Sequence, residues 1–342
     1  MKTAVILFNL GGPDSLDAVR PFLQNLFSDP AIIRAPSFIR GPLARFIAAR
    51  RAPVARKIYA KIGGRSPILP ETLLQAEALE AALKRKGHDA KCFIAMRYWH
   101  PFTEDVAKEV KAYGPDKIVL LPLYPQYSTA TSQSSRDAWV KAVKQLKLVV
   151  PTTEVCCYPT EGGFVAALAE RVREAKAKIK PGTEYRILFS AHGLPKRVVD
   201  AGDPYQWQVE QTVAAVVGEL GDEQTDFTIC YQSRVGPLEW IGPATDAEIK
   251  RAGADGKGLI VVPVAFVSEH SETLVELDIE YAELAKHAGV PDYIRAATVR
   301  DHPEYIAALA GLVSVSVSAQ KTVCCVPRRL CPLGKSCGQE II

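Results

Sequence analysis

Residues 116–124 read DKIVLLPLY and residues 258–266 read GLIVVPVAF. Each is a short apolar run rich in β-branched residues, without alternation and broken by a proline. That is the pattern of a strand buried on both faces, as in a parallel sheet covered by helices. Working outward, TAVILFNL (3–10), DAKCFIAM (89–96), YRILFSAH (185–192) and DFTICYQS (226–233) share the pattern. Between these runs lie segments 70–87, 102–113, 132–147, 163–178 and 272–288, with apolar residues every three to four positions, the helical period. The alternation predicts an α/β protein with parallel sheets flanked by helices.

Two pairs of runs echo each other. Val119–Leu123 resembles Ile260–Val264, and Ile6-Leu7-Phe8 resembles Ile187-Leu188-Phe189, each of the latter followed by a Gly/Pro turn. Any two buried parallel strands look alike, so the echo by itself leaves two readings open. If it is a repeat, the chain forms two similar α/β domains, 1–150 and 151–318, followed by a cysteine-rich tail, 319–342. Ligands of open α/β sheets bind beyond the carboxyl ends of the strands, so the loops after Phe8, Leu123, Phe189, Tyr231 and Phe266 are expected to face one cleft.

Composition narrows the function. At 342 residues and 48% hydrophobic content the chain can bury two cores without disulfides. A net charge of +4 is too small a footprint for a dedicated nucleic-acid binder. The first residues, MKTAVILFNLGGPDS, run into a turn too early for a signal peptide, and no apolar run approaches the roughly 20 residues of a spanning helix. A cytoplasmic protein with reduced thiols is expected. Asn9–Asp14, NLGGPD, is Gly-rich after a strand but matches neither nucleotide fingerprint, and Pro13 lacks an amide to hold phosphate, so no nucleotide site is expected.

The chemistry concentrates in two loops. Ser190-Ala191-His192-Gly193-Leu194-Pro195 puts a histidine at the end of a buried strand, followed at once by residues that keep regular structure off it. An imidazole there can act as base or ligand near neutral pH. The second loop reads Val267-Ser268-Glu269-His270-Ser271-Glu272 and runs into a helical segment carrying Glu272, Glu276 and Glu280 at four-residue spacing. On an α-helix that spacing stacks three carboxylates in a row. A solvated acidic face is the bland account. A cation path is the better one beside Glu269, His270 and His192, and carboxylate with imidazole suits a borderline divalent metal. Residues 37–64 mix Phe, Ile and Leu with many Arg and Lys, the composition of a segment that lies on anionic membranes or clasps acidic apolar ligands, or of a basic helix packed on its own domain.

The runs LFNLGGPDS near the start, IGGRSPI at 62–68, MRYWHPF at 96–102, LPLYPQYS at 121–128, FSAHGLP at 189–195, GDPY at 202–205, YQSRVGPLEWIGP at 231–243 and PVAFVSEHSETLVELDIEY at 263–281 occur in the order found in one family, over nearly the whole chain. The sequence resembles ferrochelatase, which inserts ferrous iron into protoporphyrin IX in the last step of haem synthesis. The resemblance implies two Rossmann-like domains of the class II chelatase fold, with the porphyrin in the cleft between them. It implies that His192 receives pyrrole protons or binds incoming Fe²⁺ with Glu272 as partner, that Glu276 and Glu280 form the cation or proton route, and that Glu269 and His270 support the site. Tyr124, Tyr127, Trp240 and Pro237 resemble porphyrin wall and floor residues, and 37–64 matches the cleft lip, which suits a substrate arriving from a membrane. Insertion of iron into coproporphyrin, and a non-catalytic porphyrin or haem carrier, are the alternatives.

The tail resembles that of ferrochelatases carrying a [2Fe–2S] cluster on three C-terminal cysteines and one near the start of the second domain. Cys331-Pro-Leu matches, but Gly334 stands where that pattern has its next cysteine. The implied ligands are Cys157, Cys325, Cys331 and Cys337, with Cys156 and Cys324 as alternates, and four thiolates would equally hold zinc. A homodimer goes with such a tail.

Overall fold

A computed structural model describes residues 1–221, 226–234, 236, 238–319 and 323. The chain divides into two compact units, Met1–Cys157 joined by the end of the last helix from Leu309, and Tyr158–Ala308.

In the first unit, β1 (Lys2–Asn9), β2 (Asp89–Met96), β3 (Lys117–Pro122) and β4 (Thr152–Glu154) form a parallel sheet in the order β2-β1-β3-β4. Helices α1 (Val19–Phe27), α2 (Ser37–Ala60), α3 (Ile68–Arg85), α4 (Thr103–Tyr113) and α5 (Ser134–Leu146) connect them, and a π-turn, π1 (Thr129–Gln133), precedes α5. Burial of β1 from Ala4 to Phe8 on both faces accounts for its unbroken apolar run. One face packs Phe8, Leu120 and Trp139 into a common core.

The basic segment is α2. Its alanines Ala44, Ala48 and Ala52, one turn apart, lie buried, and Ala48 and Ala52 pack with Val19, Phe22 and Leu23 of α1. Small residues let the backbones approach, and the larger side chains are left outside: Phe38 is 77% exposed and Phe46 63%. Between α1 and α2 the chain is tied down by buried Asp29, which accepts from Tyr98 Oη at 2.8 Å and from Ser134 Oγ, and pairs with Arg97 at 2.8 Å.

In the second unit, β5 (Tyr185–His192), β6 (Phe227–Gln232), β7 (Gly258–Pro263) and β8 (Tyr293–Arg295) form a parallel sheet ordered β6-β5-β7-β8. Around it are α6 (Gly162–Lys176), α7 (Lys196–Asp200), α8 (Tyr205–Leu220), α9 (Thr245–Ala254), a π-helix π2 (Glu272–Tyr281), α10 (Ala282–His287) and the start of α11 (Pro303–Ser318).

The two sheets repeat each other strand for strand. Phe8 pairs with Pro122 and its carbonyl accepts from Leu123 N at 2.9 Å; Ser190 pairs with Pro263 and its carbonyl accepts from Val264 N at 3.1 Å. Met96 N donates to Pro101 O and Tyr231 N to Pro243 O, both at 2.9 Å, with matching bridges Met96–Phe102 and Tyr231–Ala244. A π-turn follows β3 and a π-helix follows β7. The repeat is real: the Val119/Ile260 echo keeps its register, Pro122 matching Pro263, whereas the Ile6/Ile187 echo is one residue out of step, Phe8 corresponding to Ser190 and not Phe189. A strand buried on both faces carries no alternation that would fix its register.

Candidate active site

His192 is the last residue of β5, a central strand of its sheet, and so emerges at the carboxyl edge where the chain turns away. Gly193 N donates to Gln232 O at 2.9 Å, and Leu194-Pro195 pairs with Trp240-Ile241, which brings the Trp240 ring over the turn. A Cβ on residue 193 would stand 3.0 Å from Gln232 O and 3.2 Å from that ring, so any side chain there would push the neighbours back by a few tenths of an ångström, which glycine avoids.

The imidazole of His192 is 40% exposed, and its Nδ1 lies 2.8 Å from Oε2 of Glu272. With Nδ1–H donating to the carboxylate, Nε2 keeps its lone pair and has no hydrogen-bond partner among the described residues. Partial burial alone would lower the basicity of the ring, but the Glu272 carboxylate outweighs it, and the His192 pKa rises above its ordinary value. Burial likewise opposes the charge of Glu272, yet His192, then His270 and the Ser233 hydroxyl, hold its pKa down to about 2.

Glu272 opens π2. The sequence predicts an α-helix over 272–288; the chain instead takes i→i+5 bonding from Glu272 to Tyr281 and turns α-helical only at Ala282. Such widened turns collect at functional sites, and at the wider turn residues four apart still lie near one face of the helix. Glu272 and Glu276 both reach Ser233: its Oγ lies 3.0 Å from Glu272 Oε2 and contacts Glu276 Oε2, while its N–H donates to Glu276 Oε1 at 2.9 Å. Gln232 Nε2 at 3.2 Å and Tyr281 Oη at 3.0 Å also donate to Glu276. Burial first, then the charge on Glu272, raises the Glu276 pKa. Glu280 lies on the exposed part of π2.

The loop before π2 packs beside this pair. Burial depresses the His270 pKa despite the opposing pull of Glu272, so the ring stays neutral; Nδ1–H points to Ser268 O at 3.2 Å, and Nε2 lies 3.9 Å from Glu272 Oε1. Glu269 accepts from Arg295 at 2.7 Å and from Thr298 at 3.1 Å, and Arg295 also forks onto Asp278. Burial works against the Glu269 charge, but Arg295 prevails and lowers its pKa. Among the described residues no group of three His, Cys, Asp or Glu is arranged as a metal cage.

Tyr124 and Tyr127 follow β3 in the first unit: Tyr124 packs partly buried on the Phe8–Trp139 core, and Tyr127 is buried with its hydroxyl bonded to Gln133. Cys156 and Cys157 are buried just after β4. Pro237, Cys324, Cys325, Cys331 and Cys337 lie outside the described residues. Sequence reasoning assigned no role to Ser233, Gln232, Tyr281 or Arg295. The signal for Ser233 was its place at the carboxyl end of a strand, in a loop already expected to face a ligand.

A family model described as Ferrochelatase matches residues 2–317. The chain belongs to the ferrochelatase family. The Caulobacter vibrioides ferrochelatase is 58% identical over 318 residues, covering 92% of this chain and 90% of the relative. That of Hyphomonas neptunium is 48% identical over 340 residues, covering 98% and 94%. Among solved structures, SirB from Bacillus subtilis with Fe3+ superposes with a TM-score of 0.52 over 92% of this chain and 96% of its own, at 14% identity, a likeness of fold. The protein is thus a metal-chelating lyase of haem synthesis, acting on porphyrin with Fe²⁺ as the metal substrate.

Proposed function

We propose that the His192–Glu272 pair carries the insertion of Fe²⁺ into protoporphyrin IX. The observation behind this is the 2.8 Å contact at Nδ1, which leaves Nε2 of a strengthened base without a hydrogen-bond partner among the described residues, on a side chain that is 40% exposed. Metal insertion displaces two N–H protons, so a base must stand at the macrocycle centre as the cation approaches. Nε2 takes the two pyrrole protons one after the other, passing on the first before it accepts the second, and Glu272, ionised in the resting site, stabilises the imidazolium each time. Each proton leaves from Nδ1 through a transiently protonated Glu272 and the Ser233 hydroxyl to Glu276, and Glu280 at the exposed part of π2 is the exchange point with solvent. Neutral His270 and the Oε1 side of Glu272 offer passing donors to the cation, with Glu276 next along the path and Glu269 fixing the loop through Arg295. Tyr124, Tyr127, Trp240 and Pro237 contact the macrocycle.

The tail is read as holding a [2Fe–2S] cluster. In support, Val323 forms a bridge with Val155, and its carbonyl accepts from Cys156 N at 2.8 Å, so the chain enters the cysteine-rich segment directly beside the internal pair Cys156-Cys157. The Hyphomonas relative, matched over 98% of this chain, leaves too few residues unmatched to omit that segment. Buried thiols are donors of the right softness for iron–sulfur or zinc. When bound, a cluster supplies a cross-link between segments and a visible absorption, and plays no part in the proton steps above. Cys157, Cys325, Cys331 and Cys337 would hold it, with Cys156 and Cys324 as alternates. Red-brown protein with iron and acid-labile sulfide supports the cluster; colourless protein loaded with zinc refutes it.

Among the described residues no helix is long and apolar enough to cross a membrane. The exposed Phe38 and Phe46, set among the arginines of α2, support a lip resting on an anionic membrane surface from the cytoplasmic side. The association state in this reading is a homodimer. The test of function is anaerobic addition of Fe²⁺ to protein with protoporphyrin or coproporphyrin. Loss of protoporphyrin fluorescence over many turnovers is expected; a single stoichiometric quench would mark a carrier, and preference for coproporphyrin would reassign the substrate.

A further inference from the structure

We propose that Ser233 is a positioning residue for metal insertion, its hydroxyl holding the Glu272 carboxylate on His192 and tying it to Glu276. The proposal rests on the reading of His192 and Glu272 given above.

The backbone supplies the first argument. Ser233, directly after β6, has φ +61°, the left-handed region that L-residues other than Asn, Asp and Gly seldom occupy. Glycine would sit there without strain and would keep the 2.9 Å bond from the backbone N–H to Glu276. What glycine would lose is the hydroxyl. A side chain kept where the backbone favours none points to work done by that side chain.

The hydrogen inventory supplies the second. Ser233 Oγ touches both Glu272 Oε2 and Glu276 Oε2 but carries a single proton, so it donates to one carboxylate and accepts from the other when that one is protonated. It is therefore a two-sided link rather than a cap. Its partners are held from behind: Ser190 Oγ donates to Gln232 Oε1 at 2.8 Å, which turns the Gln232 amide nitrogen toward Glu276, and Tyr281 fixes the other Glu276 oxygen. Glu276 is thus anchored by three other donors, whereas among the described residues Glu272 has only Ser233 and the histidines to orient it. Removing the hydroxyl frees Glu272 first.

The test uses the full chain and the variants S233G, S233A and S233T, read by porphyrin fluorescence under anaerobic Fe²⁺ addition and by thermal melting. S233G relieves the left-handed strain and should melt higher than wild type, yet kcat should fall about 10–100-fold, the usual range for an outer partner of a reacting group, with KM for porphyrin unchanged. S233T keeps the hydroxyl on a more strained backbone and should melt lower while retaining most of kcat. A merely structural serine would show activity following stability, the opposite order. Should S233T fail to fold, the pair S233A and S233A/E272Q replaces it: the double variant should be no slower than E272Q alone. Full kcat in S233G, equal loss in S233G and S233T, additive loss in the double variant, or a rise in porphyrin KM without change in kcat would each overturn the proposal. Normal turnover by H192A would instead sink the underlying reading, so the two failures are distinguishable.

Discussion

Replacing Glu272 by Gln removes the charge beside His192 while keeping an oxygen able to accept from Nδ1–H, so it isolates electrostatics from geometry. The two charges, with centres about 4 Å apart, attract by ~1 kcal/mol in bulk water and ~4 kcal/mol at the effective dielectric of a protein surface. Because the imidazole is 40% exposed, the interaction sits toward the screened end, about 1–2 kcal/mol. The sign follows from the causes of the shift. Burial disfavours imidazolium and Glu272 favours it; without Glu272 the first acts unopposed, and the His192 pKa falls. Activity requires Nε2 free, so the acidic limb of the kcat profile should move to lower pH in E272Q. The imidazolium formed as the porphyrin gives up its proton loses the same stabilisation, so kcat at neutral pH should drop about 5–30-fold. The assay is initial-rate insertion under anaerobic conditions across the acid range. An acidic limb that stays in place or moves up would refute the pairing as described.

Three further outcomes follow from the packing. Gly193→Ala drives a methyl against Gln232 O and the Trp240 ring; melting should report a loss of about 1–3 kcal/mol, as for other overpacked sites, with a fall in insertion rate. Arg295→Met leaves the largely buried Glu269 without its cation and unties the one-third-exposed Asp278, and denaturant unfolding should show a loss of about 3 kcal/mol, the low end for breaking a buried pair. Asp29→Asn tests acid stability: burial works against the carboxylate, but Ser134, the Ala31 amide, Arg97 and Tyr98 lower its pKa below 3.8, so its contribution is present above that value and is lost as pH falls through the lowered folded value. The variant should be less stable than wild type at neutral pH and converge with it in strong acid.

Much of the fold is legible in the strands. Unbroken apolar runs such as Val119–Leu123 can only be buried on both faces, and the helical period between them forces parallel connections. The register of the repeat is legible where Pro122 and Pro263 mark it, but not in β1 and β5, because Phe8 and Ser190 occupy equivalent positions with unlike side chains. His192 stands out because strand, imidazole and Gly-Pro stop coincide. The acidic row is only half visible: its residues are plain, but whether they turn as an α- or a π-helix depends on Ser233 and Gln232 drawing Glu272 and Glu276 to one point, contacts some forty residues away in sequence. Ser233 is hidden for the same reason. A left-handed serine has no signature until its backbone is seen.

The central claim is that His192 accepts the proton displaced by iron. Single-turnover fluorescence on the His192→Ala variant, loaded with protoporphyrin and then mixed anaerobically with Fe²⁺, tests it most directly. The account predicts that the variant binds porphyrin as wild type does and keeps its emission after Fe²⁺ is added; loss of emission at the wild-type rate would contradict it.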